Sequence, residues 1–182
     1  MSTLKVATSS KDHTQGDPEA PVTLVEYGDY ECPHCGRAYP IVKQLQKHFG
    51  KRLRFVFRNF PLNESHPHAE GAAESAEFAA AHRKFWQMHD LLFENQERLS
   101  DLLYIEIAKS LGLEALDLRK ALETREFAER VRSDFTGGVR SGVNGTPTFF
   151  INGKRHDASF AYEDLTEAIH AELSRVAKAA GA

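Results

Sequence analysis

The 182-residue sequence is poor in cysteine, in long apolar runs and in charge of one sign. Its only two cysteines, Cys32 and Cys35, exclude an extensive disulfide framework, which needs several pairs. No apolar run approaches the roughly 20 residues that span a bilayer, so we expect no membrane insertion. With 23 basic and 26 acidic residues and a formal net charge of −3, the composition gives no reason to expect nucleic-acid binding, which needs a clustered basic surface.

The start of the chain also lacks the apolar segment of about 7–15 residues that a secretory leader carries. We therefore expect a cytoplasmic protein, or a periplasmic one if a leader has been removed. Residues 1–20 are polar and include Gly16, Asp17 and Pro18, so we predict an extended lead-in.

Apolar periodicity predicts a strand, a helix and a second strand at the start of the fold. Residues 21–29 are largely apolar on both faces, which is typical of a buried strand. The helix that follows places Ala38 and Leu45 on its inward face, and Gly50 ends it. Residues 52–62 form the next strand, so the two strands should pair in parallel across a right-handed crossover.

The remainder of the chain changes pattern twice. Residues 63–139 show helical periodicity and no strand pattern, and Ser100 and Gly112 are placed to begin and end one of their helices. The strand signal then returns, and Asn152-Gly153 predicts a tight hairpin between two antiparallel strands. An amphipathic helix closes the chain.

Both cysteines lie in one motif, Cys32-Pro33-His34-Cys35, at the start of the first predicted helix. Residues three apart share one face of a helical turn, and their Cα atoms then fall within the roughly 4.4–6.8 Å that a disulfide tolerates. So small a ring stabilises a fold by only about 2 kcal/mol in the loop-entropy estimate. The spacing therefore favours a disulfide that opens and closes in turnover over a structural one.

The position of the motif favours ionisation of its first thiol, because orphan N–H groups and the helix dipole stabilise negative charge. His34 adds a hydrogen bond or a positive charge, and the thiolate is the nucleophile. Asp29 and Glu31 oppose this effect if they point inward, but we expect Glu31 to lie in a solvated, screened loop. Cys32 is then the exposed attacking thiol, and Cys35 resolves the mixed disulfide.

Zinc binding is the main rival explanation for a CxxC pair. A structural zinc site needs about four ligands, yet the chain has no second cysteine pair, and His66 and His68 are spaced by two rather than by three to five. The pattern favours redox chemistry that requires neither a metal nor an organic cofactor. A metal-binding protein that uses Cys32, Cys35 and histidines stays open as an alternative.

The order of a strand, "CPHC" at a helix start, a helical block and a later "GTPTFF" resembles the DsbA-like branch of the thioredoxin superfamily over about residues 20–178. The resemblance implies an α/β thioredoxin fold, with a central mixed sheet flanked by helices, in residues 1–62 and 140–182. Residues 63–139 are then an inserted all-helical domain. It also implies disulfide exchange with cysteine-containing proteins or peptides or with small disulfides, and a redox partner protein or glutathione.

The resemblance implies further site residues outside the motif. Pro147 matches the family's cis-proline, whose bond exposes the backbone of Thr146 to an extended substrate close to Cys32. Glu26, six residues before the first cysteine, matches a buried carboxylate that takes the proton of Cys35 as that thiol attacks. The simpler alternatives are that Pro147 only begins a strand and that Glu26 pairs with a lysine at a sheet edge.

Two features leave the direction of electron flow open. The chain shows no leader, and it has a threonine where the best-known secreted oxidant of the family has a valine before the proline. A Pro-His dipeptide favours an oxidising pair, whereas cytoplasmic thiols would keep that pair reduced. The main alternative function is a non-catalytic thioredoxin-fold module that grips an extended peptide while its cysteines stay idle. A small-molecule transferase or isomerase on this fold is another, although such relatives usually lack the second cysteine.

Overall fold

The computed structural model describes residues 2–181. Within that range the chain folds into five strands and seven α-helices, with five of the helices between the third and fourth strands. In chain order the elements are β1 (His13–Gln15), β2 (Val22–Gly28), α1 (Pro33–Phe49), β3 (Leu53–Asn59), α2 (Ala69–Ala81), α3 (Phe85–Glu94), α4 (Asp101–Ser110), α5 (Ala115–Thr124), α6 (Ala128–Arg140), β4 (Thr148–Ile151), β5 (Lys154–His156) and α7 (Tyr162–Ala180).

The strands form one mixed sheet in the order β1-β3-β2-β4-β5. The β1–β3, β2–β4 and β4–β5 pairs are antiparallel, and helix α1 connects the neighbouring strands β2 and β3. Strands β2 and β3 are buried along most of their length, and most of their buried side chains are apolar. The predicted α/β thioredoxin fold with a helical insertion is confirmed.

Residues 1–20 were expected to be an extended lead-in, and within them the structure has a short strand, β1, that the sequence did not predict. His13–Gln15 pairs with β3, in the register that sets His13 opposite Phe57. Beside this strand, the buried guanidinium of Arg58 donates to Asp12 at 2.7 Å and to the Tyr27 hydroxyl at 2.9 Å. A three-residue strand is too short for apolar periodicity to reveal it, and a long-range ion pair helps to hold it in place.

Two turns confirm the predictions made from glycine. Helix α1 ends at Phe49 and is followed by Gly50 with a φ of 52°, a left-handed conformation that glycine adopts without strain. Asn152 and Gly153 have φ values of 46° and 80°, as a two-residue hairpin turn requires. The turn places β5 antiparallel to β4, with Lys154 opposite Ile151.

The described residues divide into two compact units. One unit comprises residues 2–27, 37–58 and 137–181 and contains the sheet, with α7 against β4. The other comprises residues 28–36 and 59–136, in which α2 packs against α3, α4 and α5. The division into separate domains at residues 62 and 140 stays a prediction.

The helical unit also confirms the predicted cap of α4. The Ser100 hydroxyl oxygen accepts the N–H of Leu103 at 3.3 Å, and Gly112, with a φ of 67°, follows the end of the helix. Within residues 2–181, each helix falls short of the length and apolar character needed to cross a membrane.

Candidate active site

The two cysteines flank the first turn of α1. The helix begins at Pro33, and the preceding residue, Cys32, accepts the N–H of Gly36 through its main-chain carbonyl at 3.1 Å. Cys32 is therefore the N-cap residue, and Pro33 takes the first helical position, where a missing N–H costs nothing. Cys35 follows inside the first turn, and both residues are thiols. The predicted position of the motif at a helix start is confirmed.

Accessibility divides the motif into an outer and an inner pair. Pro33 and His34 are exposed, whereas Cys32 is 4% exposed and Cys35 is completely buried. The expectation that Cys32 is an exposed thiol is therefore wrong, although it is the more accessible of the two. The side chain of Gln96 binds the main chain at Tyr30 and Cys32.

Asp29 lies at the centre of the hydrogen bonds around the motif. Its side chain is buried, and its Oδ1 accepts the N–H of Glu31 at 2.8 Å and that of Cys32 at 3.3 Å. Its own N–H donates to the Cys35 sulfur at 3.4 Å. A donor to sulfur favours the thiolate over the thiol. One residue thus contacts both cysteines of the motif, through its carboxylate and its main chain.

Glu31 is bound as well. Its Oε2 accepts the N–H of His68 at 2.6 Å, and the residue is half-buried. This hydrogen bond lies at the exposed surface, so the expectation of a solvated, screened Glu31 stays a prediction. The loop that precedes α2 supplies the N–H donor, and the sequence gives no sign of that contact because 37 positions separate the two residues.

The second oxygen of Asp29 binds the loop that follows β3. Asp29 Oδ2 accepts the N–H of Leu62 at 2.8 Å and lies 2.8 Å from Nδ1 of His66. Because an ionised carboxylate only accepts hydrogen bonds, Nδ1 of His66 carries the hydrogen. Burial acts to lower the pKa of His66, but the hydrogen bond and charge of Asp29, with smaller contributions from Cys32 and Glu31, raise it above its ordinary value.

Gln96 holds the motif from the short 3-10 turn after α3, at Gln96–Arg98. Its Nε2 donates to the main-chain carbonyl of Tyr30 at 2.7 Å and to that of Cys32 at 2.9 Å. Gly36 faces this side chain, and a Cβ at position 36 would overlap Gln96 Oε1. Glycine is needed here for close approach rather than for its backbone angles.

Tyr30 anchors the motif in the apolar interior of the helical unit. Its ring is almost completely buried and packs against that of Phe93, with ring centroids 4.9 Å apart. Its hydroxyl lies 3.0 Å from Nδ1 of His89, which is also buried. The Tyr30 hydroxyl therefore has a hydrogen-bond partner, as a buried tyrosine requires.

The other predicted site residues lie on or beside the sheet. Glu26 is in β2, opposite Phe149 of β4, and is 3% exposed, so its predicted burial is confirmed. Thr146 and Pro147 are half-buried just before β4, and the peptide bond between them is cis. The proton-transfer role of Glu26 and the substrate-binding role of Thr146 and Pro147 stay predictions.

Sequence reasoning missed Asp29 as a hydrogen-bond centre and Gln96, which both bind the motif directly, and His66, which binds Asp29. A signal existed only for Asp29, because an aspartate side chain commonly accepts the N–H two residues later, as Asp29 does from Glu31. Within residues 2–181, no three histidine, cysteine or acidic side chains gather closely enough to hold a metal ion.

Comparison with known sequences finds one family model, described as thioredoxin, that matches residues 8–171. Among curated proteins, the Na(+)/H(+) antiporter NhaA 1 of Salinispora arenicola (strain CNS-205) is 45% identical over 159 residues, which are 87% of this chain and 24% of that protein. The chain thus spans about a quarter of the length of this curated relative.

Comparison with solved structures finds matches over nearly the whole chain. Oxidised BdbD from Bacillus subtilis is 28% identical with a TM-score of 0.85, over 95% of this chain and 98% of that one. A thioredoxin-like oxidoreductase from Silicibacter pomeroyi DSS-3 is 25% identical with a TM-score of 0.79, over 93% of this chain and 94% of that one.

Proposed function

The chain belongs to the thioredoxin superfamily, in its DsbA-like branch, and on this basis we propose that it is a thiol–disulfide oxidoreductase acting through Cys32 and Cys35. The observation that carries the proposal is the placement of the two thiols, one at the N-cap of α1 and the other within its first turn. Its substrates are cysteine-containing proteins or peptides or small disulfides. A redox partner protein or glutathione then returns the Cys32–Cys35 pair to its starting redox state. We propose the cytoplasm as the place of action.

The proposed reaction is two successive thiol–disulfide exchanges. The Cys32 thiolate attacks one sulfur of a substrate disulfide, the substrate S–S bond breaks, and the departing thiolate takes up a proton. Cys35 then loses its proton and attacks the Cys32 sulfur, which releases the second substrate thiol and leaves a Cys32–Cys35 disulfide. Two electrons have passed to the substrate, and the same steps in reverse deliver a disulfide to a dithiol substrate.

Three further roles belong to this proposal. His34, exposed in the first turn of α1, stabilises the Cys32 thiolate. Glu26, buried in β2, accepts the proton of Cys35 during the second exchange. Thr146 and Pro147 present main-chain groups to an extended substrate.

Insulin reduction with a dithiol as electron donor tests the function directly. Cys32→Ser should abolish the activity, because serine is not a nucleophile toward disulfides at neutral pH. Cys35→Ser is the matched control within the motif, and it should still attack but accumulate a mixed disulfide that a gel without reductant detects. Full activity in Cys32→Ser would overturn the proposal.

One observation favours the alternative of a peptide-binding module with idle cysteines, namely the burial of Cys32 to 4% exposure. Alkylation of the native protein across a pH series separates the two functions. Rapid modification of Cys32 with a midpoint well below the ordinary thiol pKa of about 8.5 supports the enzyme. Slow modification with an ordinary midpoint supports the module.

A further inference from the structure

A negative charge lies beside the motif, in an unfavourable place for a thiolate on Cys32. Asp29 is 1% exposed, and its Oδ1 accepts the N–H of Cys32 at 3.3 Å, so its carboxylate lies beside the first residue of the motif. A buried carboxylate so close to the motif repels a thiolate on Cys32, because two negative charges in a poorly solvated site interact strongly. Without compensation, Asp29 would work against the chemistry of the motif.

The compensation lies on the other oxygen of the same carboxylate. His66 Nδ1 lies 2.8 Å from Asp29 Oδ2, and the two side chains are 18% and 0% exposed. The groups whose charges act on His66 are Asp29, Cys32 and Glu31, all of which are negative when ionised. They come from the loop before α1, which His66 faces, and each of them favours a proton on the imidazole.

We propose that His66 is a positioning residue of the redox site, which in its protonated form neutralises Asp29 and so keeps the Cys32 thiolate stable. When the imidazole loses its proton, the charge of Asp29 is uncompensated, the Cys32 thiolate becomes less stable, and the Cys32–Cys35 pair becomes a weaker oxidant. The proposal deepens the oxidoreductase function and rests on it. It gives the site a pH dependence that does not originate in the motif itself.

Reduction and protonation are then linked in a definite way. Reduction of the Cys32–Cys35 disulfide adds two electrons, Cys35 takes a proton, and Cys32 stays a thiolate. The new charge on Cys32 increases the proton affinity of His66, and since Nδ1 already carries a hydrogen that it donates to Asp29, the added proton goes to Nε2. By reciprocity, the protonated imidazole stabilises the reduced pair by the same factor.

The first test compares His66→Asn with His68→Asn. Asparagine keeps a hydrogen-bond donor for Asp29 but removes the charge, while His68 is an exposed histidine two residues away. In His66→Asn we expect the thiolate fraction of Cys32 to fall by about tenfold at a given pH below its midpoint, a shift of about one pKa unit. The equilibrium constant with glutathione should move by up to the same factor, which is about 30 mV for a two-electron couple. His68→Asn should match the wild type.

A double variant separates charge compensation from a merely structural role. In Asp29→Asn/His66→Asn both charges are gone, so the Cys32 thiolate fraction should return to within about twofold of the wild type. A structural role predicts that the double variant is at least as impaired as His66→Asn. A double variant without recovery, or a His66→Asn variant indistinguishable from His68→Asn, would overturn the proposal.

A measurement on the unaltered protein guards against variants that fail to fold. NMR titration of His66 should give a higher pKa in the reduced protein than in the oxidised one, because only the reduced form carries the Cys32 charge. Equal values in the two forms would contradict the proposal. These readouts need no protein substrate, so they distinguish a failure of His66 coupling from a failure of the enzymatic function, which the Cys32→Ser assay reports.

Discussion

The side-chain amide of Gln96 donates to the main-chain carbonyl of Cys32 at 2.9 Å, across 64 positions of sequence. The same nitrogen donates to the carbonyl of Tyr30 at 2.7 Å. Gln96, which follows α3, therefore stabilises the turn that leads into Cys32 by binding its main chain. The geometry of the motif depends on the helical segment as well as on its own helix.

We predict that Gln96→Leu destabilises the protein by about 1–3 kcal/mol, because it leaves two partly buried carbonyls without their amide donor. Amide hydrogen exchange in residues 30–36 should accelerate at the same time, because the turn loses its two hydrogen bonds from Gln96. Denaturant unfolding and exchange mass spectrometry measure the two effects. Gln87→Leu, at an exposed position of α3, is the control and should change neither.

A second prediction concerns Gly36, whose missing side chain leaves room for Gln96. Gly36→Ala should be destabilising, because the new methyl group displaces the Gln96 amide. In a Gln96→Ala background the same change should cost little, so a double-mutant cycle should reveal strong coupling. Gly145→Ala is the control, since an added Cβ there meets nothing within 4 Å. Additive effects of Gly36→Ala and Gln96→Ala would show that this explanation is wrong.

The raised pKa of His66 predicts a pH-dependent contribution to folding stability. A group whose pKa is higher in the folded than in the unfolded state stabilises the fold fully below its ordinary value of 6.5. That contribution is lost as the pH rises through the higher folded value. His66→Asn should therefore lower the free energy of unfolding more in mildly acidic than in alkaline solution, as measured by urea titration at several pH values. A pH-independent loss would be inconsistent with the Asp29–His66 pair.

The proton-transfer role of Glu26 is testable in single-turnover kinetics. Glu26→Gln keeps the size of the side chain but removes the base, so we expect resolution of the mixed disulfide by Cys35 to slow by about 100-fold. The initial attack by Cys32 should keep its rate. Rapid quenching followed by mass spectrometry resolves the two steps. If both steps slow equally, Glu26 does not act as the base for Cys35.

The sequence predicted those parts of the fold that depend on local chemistry. Asn152 and Gly153 form a tight turn because these residues tolerate positive φ, and Ser100 caps α4 because its hydroxyl reaches an N–H three residues later. The helix start at Cys32-Pro33 follows from the same kind of local preference. Each of these features is encoded within four residues of sequence.

The parts that escaped prediction depend on contacts between distant residues. Strand β1 is three residues long and pairs with β3 about 40 positions away, and Asp29 reaches His66 across 37 positions. Neither contact leaves a periodic pattern in the sequence. The hydrogen bond from Gln96 to the Cys32 carbonyl escaped prediction for the same reason, since 64 positions separate the two residues.

Residues 28–36 belong to the same compact unit as residues 59–136, apart from the unit that contains the sheet. For protein engineering, this grouping identifies two ranges of residues to randomise when the redox properties of the thiols are to be changed. A mutant library confined to residues 28–36 and 59–136 would vary the electron affinity of the thiols and leave the coding sequence of all five β-strands almost unaltered. Natural divergence has the same freedom, so descendants of one ancestral gene could acquire different redox potentials without redesigning their scaffold.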